Sequence, residues 1–317
     1  MYCSRLPVND QSKRDPMQYG RDWPAYNKKN ISRGDINLDA RLFRSWVSQL
    51  RKMNRHKEGH QYEYPDSFIL FLGLLKVNMG FTYRKIAGFI TSLSKYCPLL
   101  SKIPDYTTLF RRMNSLKLEI SESIPKSDGP MFISIDSSGL KADHGGTWIE
   151  QRFGQKKRRW IKIHFAIDVK SKRIVEFSVT TDRVHDNRRF RGLVRKAAKK
   201  HRIGKVAADA AYDDYRNYEL LHKKRIRAAI KPRLNSNPDY LQPRYDKRKF
   251  DRWKHVLLFQ KYSYDSWKRK TGYNYRTLSE SCFSAFKAGY GDGVYSRKFG
   301  YVRQEVLWKA YAYNLSR

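Results

Sequence analysis

Cysteine is scarce in this chain. The three present, Cys3, Cys97 and Cys282, lie far apart among 317 residues, without the paired spacing of a zinc site or a disulfide framework, and they point to a reducing compartment. A long apolar run is missing too: the most apolar stretch, Phe68 to Val77, falls well short of the ~20 residues that span a bilayer. Nothing after Met1 reads as an export signal. The expectation is a soluble, cytoplasmic protein with no membrane partner. Acidic residues are the third shortage. Thirty Asp and Glu face 66 Lys and Arg, leaving a net charge of +36 and a pI near 10.1. Such an excess seeks a polyanion, with DNA the obvious candidate and the nucleoid the expected location. A purely electrostatic coat protein would also be basic, but 40% hydrophobic and 14% aromatic residues are enough to build a core. The length suits one large domain or two ordinary ones.

The most informative stretch runs from Tyr273 to Lys287. It reads Y-x2-R-x3-E-x6-K in a segment with helical character. Offsets of three and seven return to one helical face, so Tyr273, Arg276, Glu280 and Lys287 are expected on a single stripe. One carboxylate there sits among cationic and phenolic groups. A carboxylate can hold a divalent metal, whereas Arg, Lys and Tyr suit phosphate oxygens. A solvated face with an ordinary Arg276–Glu280 pair has the same pattern, so the stripe needs support from elsewhere.

Two further acids supply it. Phe132-Ile-Ser-Ile-Asp136-Ser-Ser-Gly139 is a short apolar run closed by an acid and a glycine turn, which places Asp136 at the carboxyl end of a buried strand. Lys205-Val-Ala-Ala-Asp209 repeats that grammar before a helix start. Ligands of open α/β sheets collect beyond the carboxyl ends of strands.

Two strand-end aspartates followed by this signature resemble the DDE transposases of prokaryotic insertion sequences, in the group with the Y-R-E-K signature (insertion-sequence families four and five). Asp136, Asp209 and Glu280 match the three acids in order. Trp267, Tyr290-Gly291, Ser296-Arg297, Glu305, Lys309 and Tyr313-Asn314 look like the group's C-terminal pattern, and His185-Asp186 is similar as well. The resemblance implies a ribonuclease-H-like fold and metal-dependent cleavage and strand transfer at the element's terminal inverted repeats. It also implies that Tyr273, Arg276 and Lys287 hold the transposon end. In-line attack on a phosphodiester is served by two divalent ions, Mg2+ or Mn2+, with Asp136 between them and Asp209 and Glu280 on either side. Two ends must meet, so a homodimer on double-stranded DNA is expected. Two alternatives stay open: a non-catalytic DNA-binding protein derived from a transposase, and a ribonuclease-H-fold nuclease.

The rest of the chain fits an α-helical N-terminal DNA-binding region, 1–128, before an α/β catalytic domain, 129–317. The lead-in contains one expected helix near Asp39 to Lys52. Ile86, Phe89, Ile90 and Leu93 form an amphipathic stripe. Pro104-Asp105 starts a helix from Tyr106 to Leu116, with Arg111, Arg112 and Asn114 outward as in a recognition helix. A packing bundle fits this region as well. Ile161 to Val169 alternates as a half-buried strand, with His164 a strand-face residue and not a base. A strand from Arg173 returns antiparallel, Asp186 caps a helix buried through Phe190, Leu193, Val194 and Ala197, and further strands fall at 205–208 and 226–230. The sum is a mixed sheet with flanking helices. Residues 231–272, broken by three prolines and rich in basic and aromatic residues, read as an irregular insertion touching DNA backbone; a solvated loop with a small satellite core fits them equally.

Overall fold

The computed structural model describes residues 22–35, 45–96, 102–125, 128–142, 160–241 and 250–317. Among the described residues, five α-helices come first: α1 (Trp23–Asp35), α2 (Trp46–Asn54), α3 (Asp66–Asn78), α4 (Tyr83–Ser94) and α5 (Tyr106–Ser115). The sequence pattern had suggested a single lead-in helix, but α1 forms as well. The proposed start near Asp39 lies outside the described residues. Asp105 begins α5 as expected, its carboxylate accepting from the Thr107 and Thr108 amides and hydroxyls, which satisfies orphan donors of the first turn. Those four bonds hold the Asp105 carboxyl far below the usual range, the Thr107 hydroxyl contributing most.

Strands β1 (Met131–Lys141), β2 (Trp160–Asp168) and β3 (Ile174–Thr181) form an antiparallel meander. Helix α6 (Asn187–Lys200) crosses to β4 (Ile203–Ala208), and α7 (Tyr215–Lys223) crosses to β5 (Arg227–Ile230). The sheet order is β3-β2-β1-β4-β5, with β4 parallel to β1 and β5 parallel to β4. This is the ribonuclease-H-like arrangement. Helices α8 (Pro238–Leu241), α9 (Phe250–Lys261), α10 (Tyr264–Thr271), α11 (Thr277–Tyr290) and α12 (Phe299–Leu315) complete the chain.

Two cores sandwich the sheet. On one side, Phe190, Leu193, Val194 and Ala197 of α6 meet Ile133, Ile135 and Val206, the face expected from the helical spacing. On the other, Phe283 and Phe286 of α11 and Val302 and Val306 of α12 cover Ile163, Phe165 and Ile167. Strand β2 is therefore buried on both faces instead of one. His164 and Ala166, expected at a solvated face, are fully buried because α6 lies over them.

A third core joins the N-terminal helices to α12. Phe68, Leu72, Ile86, Ile90 and Leu109 pack with Trp308 and Ala312, and the Trp308 indole donates to the Met113 carbonyl at 3.1 Å. Only a glycine fits opposite that ring: a Cβ at Gly73 would lie 2.3 Å from it. In α4, Phe89 and Leu93 remain exposed, so the buried stripe is narrower than its spacing suggested.

Several C-terminal residues of the sequence pattern are fasteners. Asn314 is fully buried; its amide donates to the Ile174 carbonyl and accepts from the Ile174 amide, pinning α12 to the β3 edge. Glu305 accepts from the Tyr295 and Ser296 amides, and Lys309 donates to the Gly293 carbonyl at 2.6 Å. Together they hold the turn that follows α11.

In the 231–272 segment, where an irregular insertion was read, the described residues instead form a small helical layer of α8, α9 and α10, closer to the satellite core that was the alternative. Trp267 is fully buried among His255, Phe259, Tyr264 and Tyr273. Arg252 reaches back to Asp213 through two 2.7 Å bonds. Pro238 opens α8, a first-turn position that a proline tolerates.

Candidate active site

Asp136 lies within a strand, not at its end. β1 continues to Lys141, and Gly139, read as a turn, pairs with Lys162 instead. The expectation fails because only one of β1's partners stops early. β4 pairs with β1 as far as Ile135↔Ala208, while β2 accompanies it to Lys141. Asp136 is thus the first residue of β1 beyond its parallel neighbour, and Asp209 follows the last residue of β4. Both acids therefore lie just past the end of the parallel pair, where ligands of open α/β sheets collect.

Asp136 is mostly buried, its side chain 15% exposed. Oδ1 accepts from the Ser137 amide at 2.9 Å. Oδ2 accepts from the Ser279 hydroxyl at 2.9 Å and from Arg276 at 3.2 Å. Burial nevertheless pushes this carboxyl above its ordinary pKa; the three donors oppose the shift, and the charge of Asp209 adds to it. Asp209 accepts from the Ala211 amide at 2.9 Å, capping the short 3-10 turn Ala210–Tyr212.

The signature segment is not one continuous α-helical stripe. Gly272, in the left-handed region at φ 76°, closes α10, a conformation that favours glycine. Tyr273–Arg276 then forms a 3-10 turn, and α11 begins at Thr277. Tyr273 is buried against Trp267, ring centroids 5.1 Å apart. Burial pushes its phenol up to about 12, with the negative charges of Asp209 and Asp136 reinforcing the shift against Arg276. Arg276 bridges two acids, contacting Asp136 at 3.2 Å and Glu280 at 2.5 Å. Glu280 is itself 60% exposed. Lys287 stands two turns further along α11 and is half-exposed.

Ser279 was not singled out from the sequence, although it is fully buried and touches Asp136. The signal was present: Ser279 is three residues after Arg276, the spacing that puts both on one side of a helix. The recognition-helix expectation needs a correction. Arg112 does not point outward: it ion-pairs with Asp66 at 2.7 Å, donates to the Tyr64 carbonyl and stacks on Tyr62. Asn114 turns back on the Phe110 carbonyl. Arg111 is exposed.

The donor set of Asp136, Asp209 and Glu280 is all oxygen, which suits a hard divalent ion. Among the described residues, no three His, Cys, Asp or Glu side chains stand close enough to enclose one, and Glu280 is drawn toward Arg276. Asp136 is buried beside a second acid, Asp209, whose charge adds to the upward shift of its carboxyl, and a cation between two such acids would relieve that repulsion. The residues fit such an ion in chemistry.

A family profile described as a transposase DDE domain matches residues 127–315, and a second of the same description matches residues 31–144. The chain belongs to the DDE transposase family. It is thereby an enzyme of DNA cleavage and strand transfer, in a family that generally uses divalent metal ions. Solved structures similar to this transposase include a piggyBac transposase synaptic complex with hairpin DNA, at 8% identity and TM-score 0.42, covering 90% of this chain and 73% of that one. A Mos1 transposase paired-end complex with the left transposon end matches at 12% identity and TM-score 0.24, covering 72% and 81%. Both likenesses are distant, and the assignment does not rest on them. No described helix of the transposase is long and apolar enough to cross a membrane.

Proposed function

We propose that this transposase is of the prokaryotic insertion-sequence type and that Asp136, Asp209 and Glu280 are its catalytic acids. The observation that carries the reading is the convergence of three elements: Asp136 within β1, Asp209 just after β4, and the turn and helix that carry Arg276, Ser279 and Glu280. The three acids hold two ions, Mg2+ or Mn2+, which when bound activate the attacking oxygen and stabilise the leaving one. Ser279 and the Ser137 amide fix the orientation of Asp136. Arg276 exchanges its contacts with Asp136 and Glu280 for a phosphate of the transposon end, for which a guanidinium fork is suited. Lys287 and the Tyr273 hydroxyl contribute to the same grip, and burial of Tyr273 keeps its phenol protonated as a donor.

Residues 1–128 supply an N-terminal DNA-contacting region, with Arg111 on the exposed side of α5, and residues 129–317 the catalytic domain. Arg112 serves there by holding α5 to the turn before α3. The protein acts on the nucleoid as a homodimer on double-stranded DNA, because two ends must be cut and joined together.

The test is strand transfer with DNA bearing the ends that flank this coding sequence. Cleavage and joining should need Mg2+ or Mn2+ and stop on chelation. Alanine at Asp136, Asp209 or Glu280 should abolish both steps and preserve end binding, since affinity comes mainly from phosphate contacts. Binding without cleavage by the wild-type protein would favour a non-catalytic derivative, and cutting without joining would favour a plain nuclease.

A further inference from the structure

A trough lies between α6 and α7, beginning beside Asp209. Its first part, about 560 Å3, is walled by Lys162, Arg188, Arg191, Arg216, Arg233 and Ala211, among others. The Ala211 amide is the one bonded to the Asp209 carboxylate. Its second part, about 260 Å3, continues along the two helices to Arg195 and Lys223, and shares Arg191 and Arg216 with the first. One basic channel therefore leads away from the acids.

The charges in its walls are unevenly matched. Every carboxylate there is engaged: Asp186 with Lys162 at 3.1 Å, Glu219 with Lys223 at 2.7 Å, and Asp214 with the Arg216 amide and Asn187. Among the described residues, Arg188, Arg191 and Arg195 have no carboxylate partner. They stand at i, i+3 and i+7 on α6, one face of the helix. The opposite face carries Phe190, Leu193, Val194 and Ala197 into the core, so the arginine face is fixed toward the trough. Seven residues of helix extend about 10 Å, the length over which one strand of duplex DNA presents about three phosphates.

We infer that this trough binds the phosphodiester backbone of the DNA on the Asp209 side of the scissile phosphate. It is a track separate from that of Arg276, just before α11, and Lys287 on it. The inference rests on the proposed catalytic role of the acids, since they set where the scissile phosphate lies. Two DNA segments have this chemistry: the flank continuing beyond the element's end, and the target duplex.

The test replaces Arg188, Arg191 and Arg195 together with Gln. A control of equal charge loss replaces Lys170, Lys224 and Arg227 with Gln, away from the trough. Three probes are used: an end stopping at the cleavage point, the same end continued into flanking DNA, and a plain target duplex in strand transfer. The trough variant should melt with the wild type, because surface substitutions of this kind are nearly neutral. It should bind the stopped end as the wild type does. It should lose on the order of tenfold or more on the continued end or in target joining, and its salt dependence on that probe should fall by about three ion contacts. A loss on the continued end identifies the flank as the ligand; a loss confined to joining identifies the target. Equal behaviour of trough variant and control on all probes overturns the inference, as does an equal loss on the stopped end. Failure of the wild type to cleave any end would instead overturn the catalytic reading, while the salt slopes still report on the trough.

Discussion

Arg252→Ala tests the least expected feature of the fold, the buried pair that ties the 231–272 helical layer to the turn after Asp209. The Asp213 side chain is wholly buried and the Arg252 side chain 14% exposed. Arg252 donates to both carboxylate oxygens at 2.7 Å and to the Ser236 hydroxyl at 2.9 Å. Burial pushes the Asp213 carboxyl up, but Arg252, the Arg233 amide and Ser236 outweigh it and hold the group below its ordinary value. Removing Arg252 leaves a buried carboxylate that has lost its cationic partner and keeps the Arg233 amide and the Ser236 hydroxyl as donors. Breaking one side of such a pair costs about 3–5 kcal/mol. At roughly 2–4 °C per kcal/mol for a domain of this size, melting should fall by about 6–20 °C. The pH dependence carries a sign. A carboxyl with a depressed folded pKa stabilises the fold above its unfolded value, near 3.9, and loses that contribution as pH falls through the folded pKa. The gap between wild type and variant should therefore be full at neutral pH and narrow below pH ~4. Thermal melts by circular dichroism across that range measure it. A variant that melts within about a degree of wild type at neutral pH would refute the claim that this pair fastens the layer.

Other outcomes follow from the same geometry. Gly73→Ala should destabilise by about 1–3 kcal/mol, because the new methyl collides with the Trp308 ring; denaturant unfolding measures this, and a neutral result would mean that the contact between α3 and α12 is loose. His164 is buried, bonded to Thr180, with burial pushing its pKa down to about 4. A lowered histidine stabilises the fold above pH 6.5 and loses that contribution on descent toward pH 4, so His164→Gln should flatten the stability profile across that window; an unchanged profile would assign the acid sensitivity elsewhere. Lys287→Ala should slow strand transfer on the order of a hundredfold while weakening end binding only slightly, since misplacing a reacting phosphate costs far more in rate than one contact costs in affinity. Equal losses in the two assays would make Lys287 a general DNA-binding group.

How much of this was legible before the structure depended on whether the signal was local. The α6 face, the strand read at 205–208 (which begins two residues earlier) and the cap of α5 follow from periodicity and capping chemistry within a few residues. Asp136 and Asp209 could be recognised as neighbours because strand grammar and sheet topology together put them over one crevice. The break between Tyr273 and the α-helix was hidden because a 3-10 turn and an α-helix share similar i, i+3 offsets. Arg112 was misread as outward for want of a long-range partner: Asp66, 46 residues away, is invisible to any local pattern. The same holds for Arg252 and Asp213, and for β2, whose second buried face exists only because α6 packs on it. Prolines in the 231–272 segment suggested irregularity, whereas the aromatic cluster around Trp267 gives α9 and α10 something to pack on.

The most direct test of the central claim is a change of ligand chemistry at Asp136. A thiolate is a poor ligand for Mg2+ and a better one for a softer ion. End cleavage by Asp136→Cys should therefore be lost with Mg2+ and recovered in part with Mn2+, whereas the wild type should cleave with either. If Asp136→Cys cleaves as well with Mg2+ as the wild-type protein does, Asp136 holds no metal and the assignment of the three acids is contradicted.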